Sequence, residues 1–182
     1  MEPALTPQEW AAHFRRQAEW TRAARNYLYR RAGLPRARHV LDVGCGPGLL
    51  PAIFSQKGCR SFGVDIDFAL LTSHLSLSLA SADAFSLPFQ ASTFDLVTAV
   101  NLLFLLDDPV RALREMTRVI KPSGQVCLLN PSEHINVEAA ARLADARGLE
   151  GKGRESLLNW ARNAEEHLRW SEEDTKELLA SA

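Results

Sequence analysis

Residues 40–48 read Val-Leu-Asp-Val-Gly-Cys-Gly-Pro-Gly, an apolar run that breaks into three alternating glycines. The apolar residues 39–43 predict a buried strand, and the pattern over 49–57 predicts a helix. Glycine at 44, 46 and 48 lets the backbone turn sharply and approach a ligand with no Cβ in between. A helix that begins just after such a loop presents unpaired N–H groups to an anionic group. The stretch therefore predicts a ligand-binding turn between a strand and a helix.

A carboxylate follows at the spacing expected for a nucleoside site. The dinucleotide fingerprint would place its third glycine at position 49, where the chain has Leu49. A second predicted strand, 60–65, ends in Asp65, about 20 positions after Gly44, as in βαβ units that place a carboxylate over a ribose. A carboxylate accepts two hydrogen bonds and so matches vicinal hydroxyls. In isolation, Asp65 is also compatible with a turn residue before Asp67.

Four ordered segments together resemble the class I S-adenosylmethionine (SAM)-dependent methyltransferases of the small-molecule type, with a domain like methyltransferase domain 11. These segments are 40–48, 79–89, 94–101 and 113–124. The last of them, Leu-Arg-Glu-Met-Thr-Arg-Val-Ile-Lys-Pro-Ser-Gly, looks like the helix and turn that precede the family's fifth strand. The resemblance covers roughly residues 38 to 132.

The resemblance implies SAM as cofactor, S-adenosylhomocysteine (SAH) as product, and a set of cofactor-binding residues. In such a site Asp65 meets the ribose hydroxyls, Asp83 meets the adenine amino group, and Ile66 and Ala84 pack the base. Residues 44, 65, 83 and 101 all follow predicted strands, where ligands bind in open α/β sheets. The full implied set is Asp42, Gly44, Cys45, Gly46, Gly48, Asp65, Ile66, Asp83, Ala84 and Asn101.

Strands and helices alternate along the chain, which predicts an α/β fold with helices on both faces of a parallel sheet. The predicted strands are 39–43, 60–65, 77–81, 94–100 and 125–130, and the predicted helices are 49–57, 67–74 and 108–120. The fold predicted by resemblance is a Rossmann-like, doubly wound, mainly parallel sheet of order 3-2-1-4-5. Relatives usually add a final β-hairpin, but no β-rich run follows residue 130. The fifth strand is then an edge strand, and three explanations are open for how it is protected. A helix from 154–180 lies across it, a partner chain covers it, or the chain is a truncated form of a longer protein whose hairpin would cover it. The third explanation is favoured over the other two.

Three segments of one domain are predicted. Residues 1–34 are predicted to form a helical lid whose first helix begins at the capping box Thr6-Pro-Gln-Glu9. Residues 35–132 are predicted to form the SAM-binding core. Residues 133–182 are predicted to form a helical segment with a second capping box at Ser171–Asp174. Aromatic residues concentrated before position 30 favour a lid over a small-molecule pocket, and plain packing explains their helical spacing equally well.

No catalytic residue is fixed by the sequence. Alignment of a nucleophile with an already activated methyl group can supply roughly 7–11 kcal/mol of a barrier, so a shared catalytic side chain is not required. Oxygen or nitrogen nucleophiles can need a base, and the candidates are His13, Glu133 and His134. His134 is the best placed, because residues 130–134 follow the last strand, although a surface histidine is the commoner reading. A small side chain that fills the loop is a sufficient role for Cys45.

Composition argues against several partner classes. The formal net charge is −1 and the arginines before residue 39 are interrupted by apolar residues, so no nucleic-acid partner is predicted. Three cysteines in separate segments predict a reducing compartment, and none has metal-site spacing. The N-terminus lacks a signal-like apolar run and the stretch 96–106 is too short to span a bilayer, so we expect a cytoplasmic monomer or homodimer without a membrane partner.

Three functions remain open at this point. The first is methyl transfer to a small molecule, and the second is a SAM-binding regulatory or catalytically degenerate module. The third, aminopropyl transfer, lacks an acidic cluster after the fourth strand beyond Asp107 and Asp108. The sequence does not identify the acceptor or its acceptor atom.

Overall fold

The computed structural model describes residues 39–71, 78–167 and 169–182, together with the isolated positions 9, 12, 16, 17 and 30. The N-terminal lid predicted for residues 1–34, with its capping box and His13, lies almost wholly outside the described residues. It therefore stays a prediction.

Five parallel strands form one sheet of order β3-β2-β1-β4-β5, as predicted. The strands are β1 His39–Val43, β2 Arg60–Asp65, β3 Ser78–Ser81, β4 Phe94–Val100 and β5 Ile120–Leu129. The helices between them are α1 Leu49–Gln56, α2 Phe68–Leu71 and α3 Pro109–Val119, with a short 3₁₀ helix at Leu103–Leu105. All five strands run the same way, so their carboxyl ends lie along one edge of the sheet.

The central strand β1 is buried on both faces, as expected for a parallel strand with helices on either side. Successive side chains of a strand point to opposite faces. Val40 accordingly packs with Leu50 and Phe54 of α1, whereas Leu41 packs in the cluster that contains Leu113 and Met116 of α3. Helices on both faces therefore fix β1, and the glycine loop that follows it, in the middle of the sheet.

Strand β5 begins earlier than the predicted 125–130. Ile120 already pairs with Phe94, the register then shifts, and regular pairing resumes with Leu96 opposite Gln125. Lys121 donates to Asp95 at 2.6 Å within this irregular part. Position 124 admits only glycine without a shift, since a Cβ there would lie 2.5 Å from Ile120 Cγ1. The Lys-Pro-Ser-Gly segment, read from sequence as a turn, is thus an irregular start of the strand.

The C-terminal segment is helical, as predicted. It contains α4 Val137–Ala146, α5 Gly151–Glu166 and α6 Glu172–Ala180. The capping box at Ser171 forms, with the Asp174 N–H donating to the Ser171 hydroxyl at 3.1 Å and Ser171 N–H donating to the Asp174 carboxylate at 2.9 Å. Helices α4 and α5 pack on each other around a small core of their own: Ala140, Ala144, Leu157 and Ala161.

Nothing in the described residues after β5 forms a further strand. The one ladder contact there is an isolated parallel bridge between Ser132 and Trp170. The absence of the final hairpin, predicted from sequence, is confirmed for this part of the chain. Trp170 and Leu178 pack against the same apolar cluster as Val126 and Leu128 of β5, so the segment around α6 covers part of that side of the sheet. No helix in the described ranges is long and apolar enough to cross a membrane.

Candidate cofactor-binding site

The glycine loop after β1 turns through backbone conformations that side chains rarely adopt. Gly44, Gly46 and Gly48 have φ angles of 69°, 51° and 82°. The loop is tied to the neighbouring strand, because the N–H groups of Gly44 and Cys45 both donate to the carbonyl of Val64, at 2.8 and 3.0 Å. No side chain caps the N-terminus of α1, so its first N–H groups remain open toward this edge.

Asp65, the last residue of β2, links the loop to its own strand. One carboxylate oxygen accepts from Gly46 N–H at 2.8 Å and the other accepts from Asp67 N–H at 3.0 Å. Each carboxylate oxygen has two lone pairs. Asp65 can therefore hold the glycine loop and still accept two hydrogen bonds from a ligand.

A tight turn after β3 presents one acceptor and one donor side by side. Asp83 Oδ1 accepts from Phe85 N–H at 2.8 Å, and Ser86 N–H donates to the Asp83 carbonyl at 3.0 Å. These bonds close the turn and leave Asp83 Oδ2 and the Ala84 N–H without a partner among the described residues. An acceptor next to a donor matches the amino group and adjacent ring nitrogen of adenine.

A cavity of about 140 Å³ lies between these elements. Asp65 and Asp83 are the residues with polar side chains in its lining, and the other lining side chains are apolar or absent. Ile66 is 74% exposed, which leaves a large apolar side chain at the cavity without a covering group. Ligand pockets usually measure about 300–1,000 Å³, so the described residues enclose only part of a ligand of SAM's size. The lining residues are Val43, Gly44, Asp65, Ile66, Ala82, Asp83, Ala84, Phe85, Leu102 and Leu106.

Asp42 lies in the interior, beneath the loop rather than at the cavity surface. Its side chain is almost fully buried and accepts from the hydroxyl of Thr98 on β4. Burial raises the pKa of Asp42 to about 7; the hydrogen bond from Thr98 opposes this rise and the charge of Asp65 adds to it. Asp42 is thus a buried carboxyl group that exchanges a proton near neutral pH.

Cys45 is a packing residue in this geometry. Its thiol is buried, and a Cβ added at Gly63 would lie 2.7 Å from its sulfur, so the side chain fills the space over β2. Burial, with the charges of Asp42 and Asp65, raises the pKa of the Cys45 thiol far above its usual range. A thiolate is the reactive form of cysteine, so the structure agrees with the reading of Cys45 as a small loop-filling side chain.

The structure brings together half of the site residues expected from sequence at one cavity. Gly44, Asp65, Ile66, Asp83 and Ala84 line it. The others surround it without lining its described part. Gly46 and Gly48 complete the loop, and Asn101 follows β4 with a φ of 55° and donates its N–H to the Leu129 carbonyl at 2.7 Å.

His134 does not reach this cavity. Its side chain is 85% exposed and lies 3.2 Å from the Glu133 carboxylate. Another histidine, which sequence reasoning did not single out, contacts a residue between two lining residues of the cavity. The ring of His167 packs edge-on against Phe104, with centroids 5.9 Å apart, and Phe104 belongs to the 3₁₀ helix between the lining residues Leu102 and Leu106.

Five apolar lining residues were also missed from sequence: Val43, Ala82, Phe85, Leu102 and Leu106. Leu102 and Leu106 flank the 3₁₀ helix, and their place in a run of five apolar residues after Asn101 is the local sequence signal for them. A second, wider depression of about 400 Å³ lies at the turn between α4 and α5. Of its three ionic residues, Asp145 and Arg154 pair with each other and Glu150 is the third, and it lies on the helical hairpin rather than at the strand ends.

Comparisons with known proteins agree with this geometry. Residues 41–128 match the family model described as a methyltransferase domain. The ubiquinone biosynthesis O-methyltransferase of Coxiella burnetii is 32% identical over 99 residues, which cover 50% of this chain and 42% of that protein. The demethylmenaquinone methyltransferase of Corynebacterium kroppenstedtii is 32% identical over 109 residues, covering 59% and 46%. Among solved structures, the [4+2]-cyclase SpnF is 29% identical with a TM-score of 0.52, covering 57% of this chain and 42% of that one.

The part of the chain that contains the sheet and its glycine loop is therefore similar to a methyltransferase domain, and the curated relatives that it matches are named as methyltransferases. The matched stretch spans somewhat less than half the length of the two curated relatives.

Proposed function

We propose that this protein binds SAM in the cavity at the strand ends and transfers its methyl group to a small-molecule acceptor. The observation that carries the proposal is the pairing of Asp65, at the end of β2, with the Asp83–Ala84 turn, at the end of β3, across one apolar cavity. Those groups match the two ends of an adenosine: hydroxyls at one side and a base edge at the other. SAM, when bound, supplies a methyl group already activated on a sulfonium.

The residues present fit the adenine ring in both polarity and shape. Asp83 Oδ2 is placed to accept from an exocyclic amino group and Ala84 N–H to donate to the adjacent ring nitrogen. Ile66 supplies an exposed apolar face, and Phe85 and Leu102 line other parts of the cavity wall. A flat, largely apolar base with one polar edge is the ligand such walls accommodate.

The residues around β1 fit the rest of the cofactor. Asp65 has free lone pairs for the two ribose hydroxyls, and glycine at 44 keeps a Cβ out of the approach. The open N–H groups at the start of α1 favour a carboxylate nearby. We expect the remaining predicted residues Asp42, Cys45, Gly46, Gly48 and Asn101 to shape this side of the site.

Two histidines are candidates to take up a proton from an acceptor hydroxyl or amine. The Nδ1 atom of His167 lies 2.7 Å from the Asn163 carbonyl. A carbonyl oxygen only accepts, so Nδ1 carries the hydrogen and Nε2 keeps a lone pair to receive a proton. The contact of His167 with Phe104, which lies between the lining residues Leu102 and Leu106, supports this candidate, whereas His134 is exposed. His167 is therefore our first candidate and His134 the second.

A SAM-binding module without turnover remains the second candidate. The same residues would bind the cofactor in an active enzyme and in a degenerate one. The relative named as a [4+2]-cyclase also shows that this fold is not confined to proteins named methyltransferases. The names of the two curated relatives favour small-molecule methyl transfer, and a quinone-type acceptor is the first class to test.

The first test incubates the protein with methyl-labelled SAM and either a metabolite extract or demethylmenaquinone, and detects labelled products by mass spectrometry. The second test measures the binding of SAM and SAH by calorimetric titration. Labelled product supports the proposal. Tight cofactor binding without product from any pool supports the module. Absence of SAM and SAH binding contradicts both. Monomeric or homodimeric state and cytoplasmic location stay predictions, open to light scattering and cell fractionation.

A further inference from the structure

The turn that presents Asp83 and Ala84 belongs to a segment without regular structure, residues 82–93, between β3 and β4. Such a segment must be held in place if it is to present two polar groups to a base at a fixed spacing. Leu87, which follows the turn directly, is buried and anchors the segment in the core. Both of its backbone groups are bound by side chains of α3.

Glu115 and Arg118 bind the two sides of the Leu87 peptide. Glu115 Oε2 accepts from Leu87 N–H at 2.8 Å, and Arg118 Nη2 donates to the Leu87 carbonyl at 2.9 Å. A second Arg118 nitrogen donates to the Phe89 carbonyl at 2.8 Å. The two side chains also pair with each other through two bonds of 2.7 Å. The pair thus closes a network in which each member orients the other.

The same face of α3 contacts the turn one helical turn earlier. The guanidinium of Arg111 lies over the ring of Phe85, 5.1 Å from its centroid. Residues 111, 115 and 118 share one face of a helix because they are spaced by four and three. Phe85 in turn donates its N–H to Asp83. A continuous chain of contacts therefore runs from α3 to the carboxylate at the base edge.

We propose that Glu115 and Arg118 are positioning residues of the adenine site, which hold the Asp83–Ala84 turn in the conformation that reads the base. This inference rests on the proposed function. Neither residue lines the described cavity, so neither is expected to touch the cofactor. Their effect is preorganisation: a turn already held in its binding conformation loses less freedom when a ligand binds.

The test compares E115Q and R118K with the parent protein. Glutamine can accept from Leu87 N–H but loses the charged pair, and lysine keeps the charge but lacks the planar fork that reaches two carbonyls at once. The matched control is R142K on α4, where Arg142 pairs with Glu138 on an exposed surface. The probes are SAH and S-inosylhomocysteine, in which the adenine amino group is replaced by a carbonyl.

We expect the parent to prefer SAH strongly over the inosine analogue. Both variants should bind SAH about tenfold more weakly, as expected when a hydrogen bond to a charged group is lost, and should prefer it less over the analogue. Amide hydrogen exchange at residues 84–87 should be faster in the free variants, whereas R142K should match the parent in all three measurements. A purely structural role would lower the thermal midpoint and leave the SAH-to-inosine ratio unchanged, which would overturn the inference. A parent that binds no SAH would instead contradict the proposed function itself.

Discussion

The hydroxyl of Thr98 lies 2.5 Å from Oδ1 of Asp42, between the two central strands of the sheet. Asp42 is two residues before the glycine loop, so the protonation of this one carboxyl group is coupled to the stability of the strand that carries the site. Its pKa in the folded protein is raised to about 7, chiefly by burial.

The contribution of Asp42 to the stability of the fold is predicted to fall as the pH rises from about 4 to about 7. An unfolded aspartate has a pKa of about 3.9, so over this range the folded state binds more protons than the unfolded state. The contribution of Asp42 is therefore fully present below about pH 4 and is lost as the pH rises through 7. The loss is on the order of a few kcal/mol.

The variant Asp42→Asn isolates this effect, because its amide oxygen still accepts from Thr98 but does not titrate. Urea unfolding of both proteins without cofactor, from pH 4.5 to 8, measures it. We expect the stability difference between variant and parent to shift in favour of the variant as the pH rises. Parallel profiles would show that Asp42 does not titrate in this range.

Asp65→Asn is predicted to weaken SAH binding by about tenfold or more, as expected for lost bonds to a charged group. In asparagine one carboxylate oxygen is replaced by an NH₂ group, which cannot accept the hydrogen bond from Gly46 N–H or Asp67 N–H. The variant therefore loses one hydrogen bond to the loop and one to the ribose. Asp67→Asn is the control: the Asp67 carboxylate accepts from the Ala69 N–H at 2.9 Å, and Asp67 does not line the described cavity. Calorimetric titration with SAH decides. Equal losses in the two variants would refute the role of Asp65.

Gly44→Ala and Gly58→Ala separate backbone strain from a steric effect on the site. Both residues have positive φ, so each alanine should cost about 1–2 kcal/mol of stability. A Cβ at 44 would also lie 2.8 Å from Leu102 Cδ1, whereas a Cβ at 58 meets nothing within 4 Å. Leu102 lines the cavity, so only Gly44→Ala should weaken SAH binding. Chemical unfolding and titration of both variants test this, and unchanged SAH affinity in Gly44→Ala would contradict it.

Ile66→Ala is predicted to weaken SAH binding several-fold with little change in stability. Ile66 is 74% exposed in the free protein, so its apolar surface is buried only when a ligand covers it. Phe68→Ala serves as the control, since Phe68 is 68% exposed and does not line the described cavity. Thermal unfolding and titration of both variants measure the two effects. A loss of affinity in Phe68→Ala as large as that in Ile66→Ala would remove the special role of Ile66.

The sheet was predictable because its strands carry their own signals. β1, β2 and β4 have the predicted bounds, and β3 ends where predicted, while position 77 lies outside the described residues. Each is a short apolar run between turn residues, and the glycine loop and two following carboxylates fix where the strand ends meet. The bounds of β5 were not predicted correctly, because its first residues include Pro122 and Gly124, and proline and glycine usually indicate a turn or loop.

The apolar half of the site was not predictable in the same way. Leu102, Leu106 and Phe85 look like ordinary core residues, and their place on the cavity wall depends on contacts between distant segments. The same holds for His167 and for the Glu115–Arg118 pair, whose partners lie tens of positions away along the chain. Local pattern indicates which strand ends carry polar groups, whereas long-range packing decides which other side chains join them.

In the described part of the chain, the α4–α5 hairpin has an apolar core separate from that of the sheet, so we expect it to be able to open locally while the sheet stays folded. Ala140, Ala144, Leu157 and Ala161 pack among themselves and belong to neither of the apolar clusters of the sheet, while Phe104 and His167 form an edge-on pair between the segment after β4 and the end of the hairpin. A hairpin of this kind can be lengthened, shortened or exchanged without repacking the sheet. A change in the hairpin would then leave the residues of the proposed nucleoside site in place.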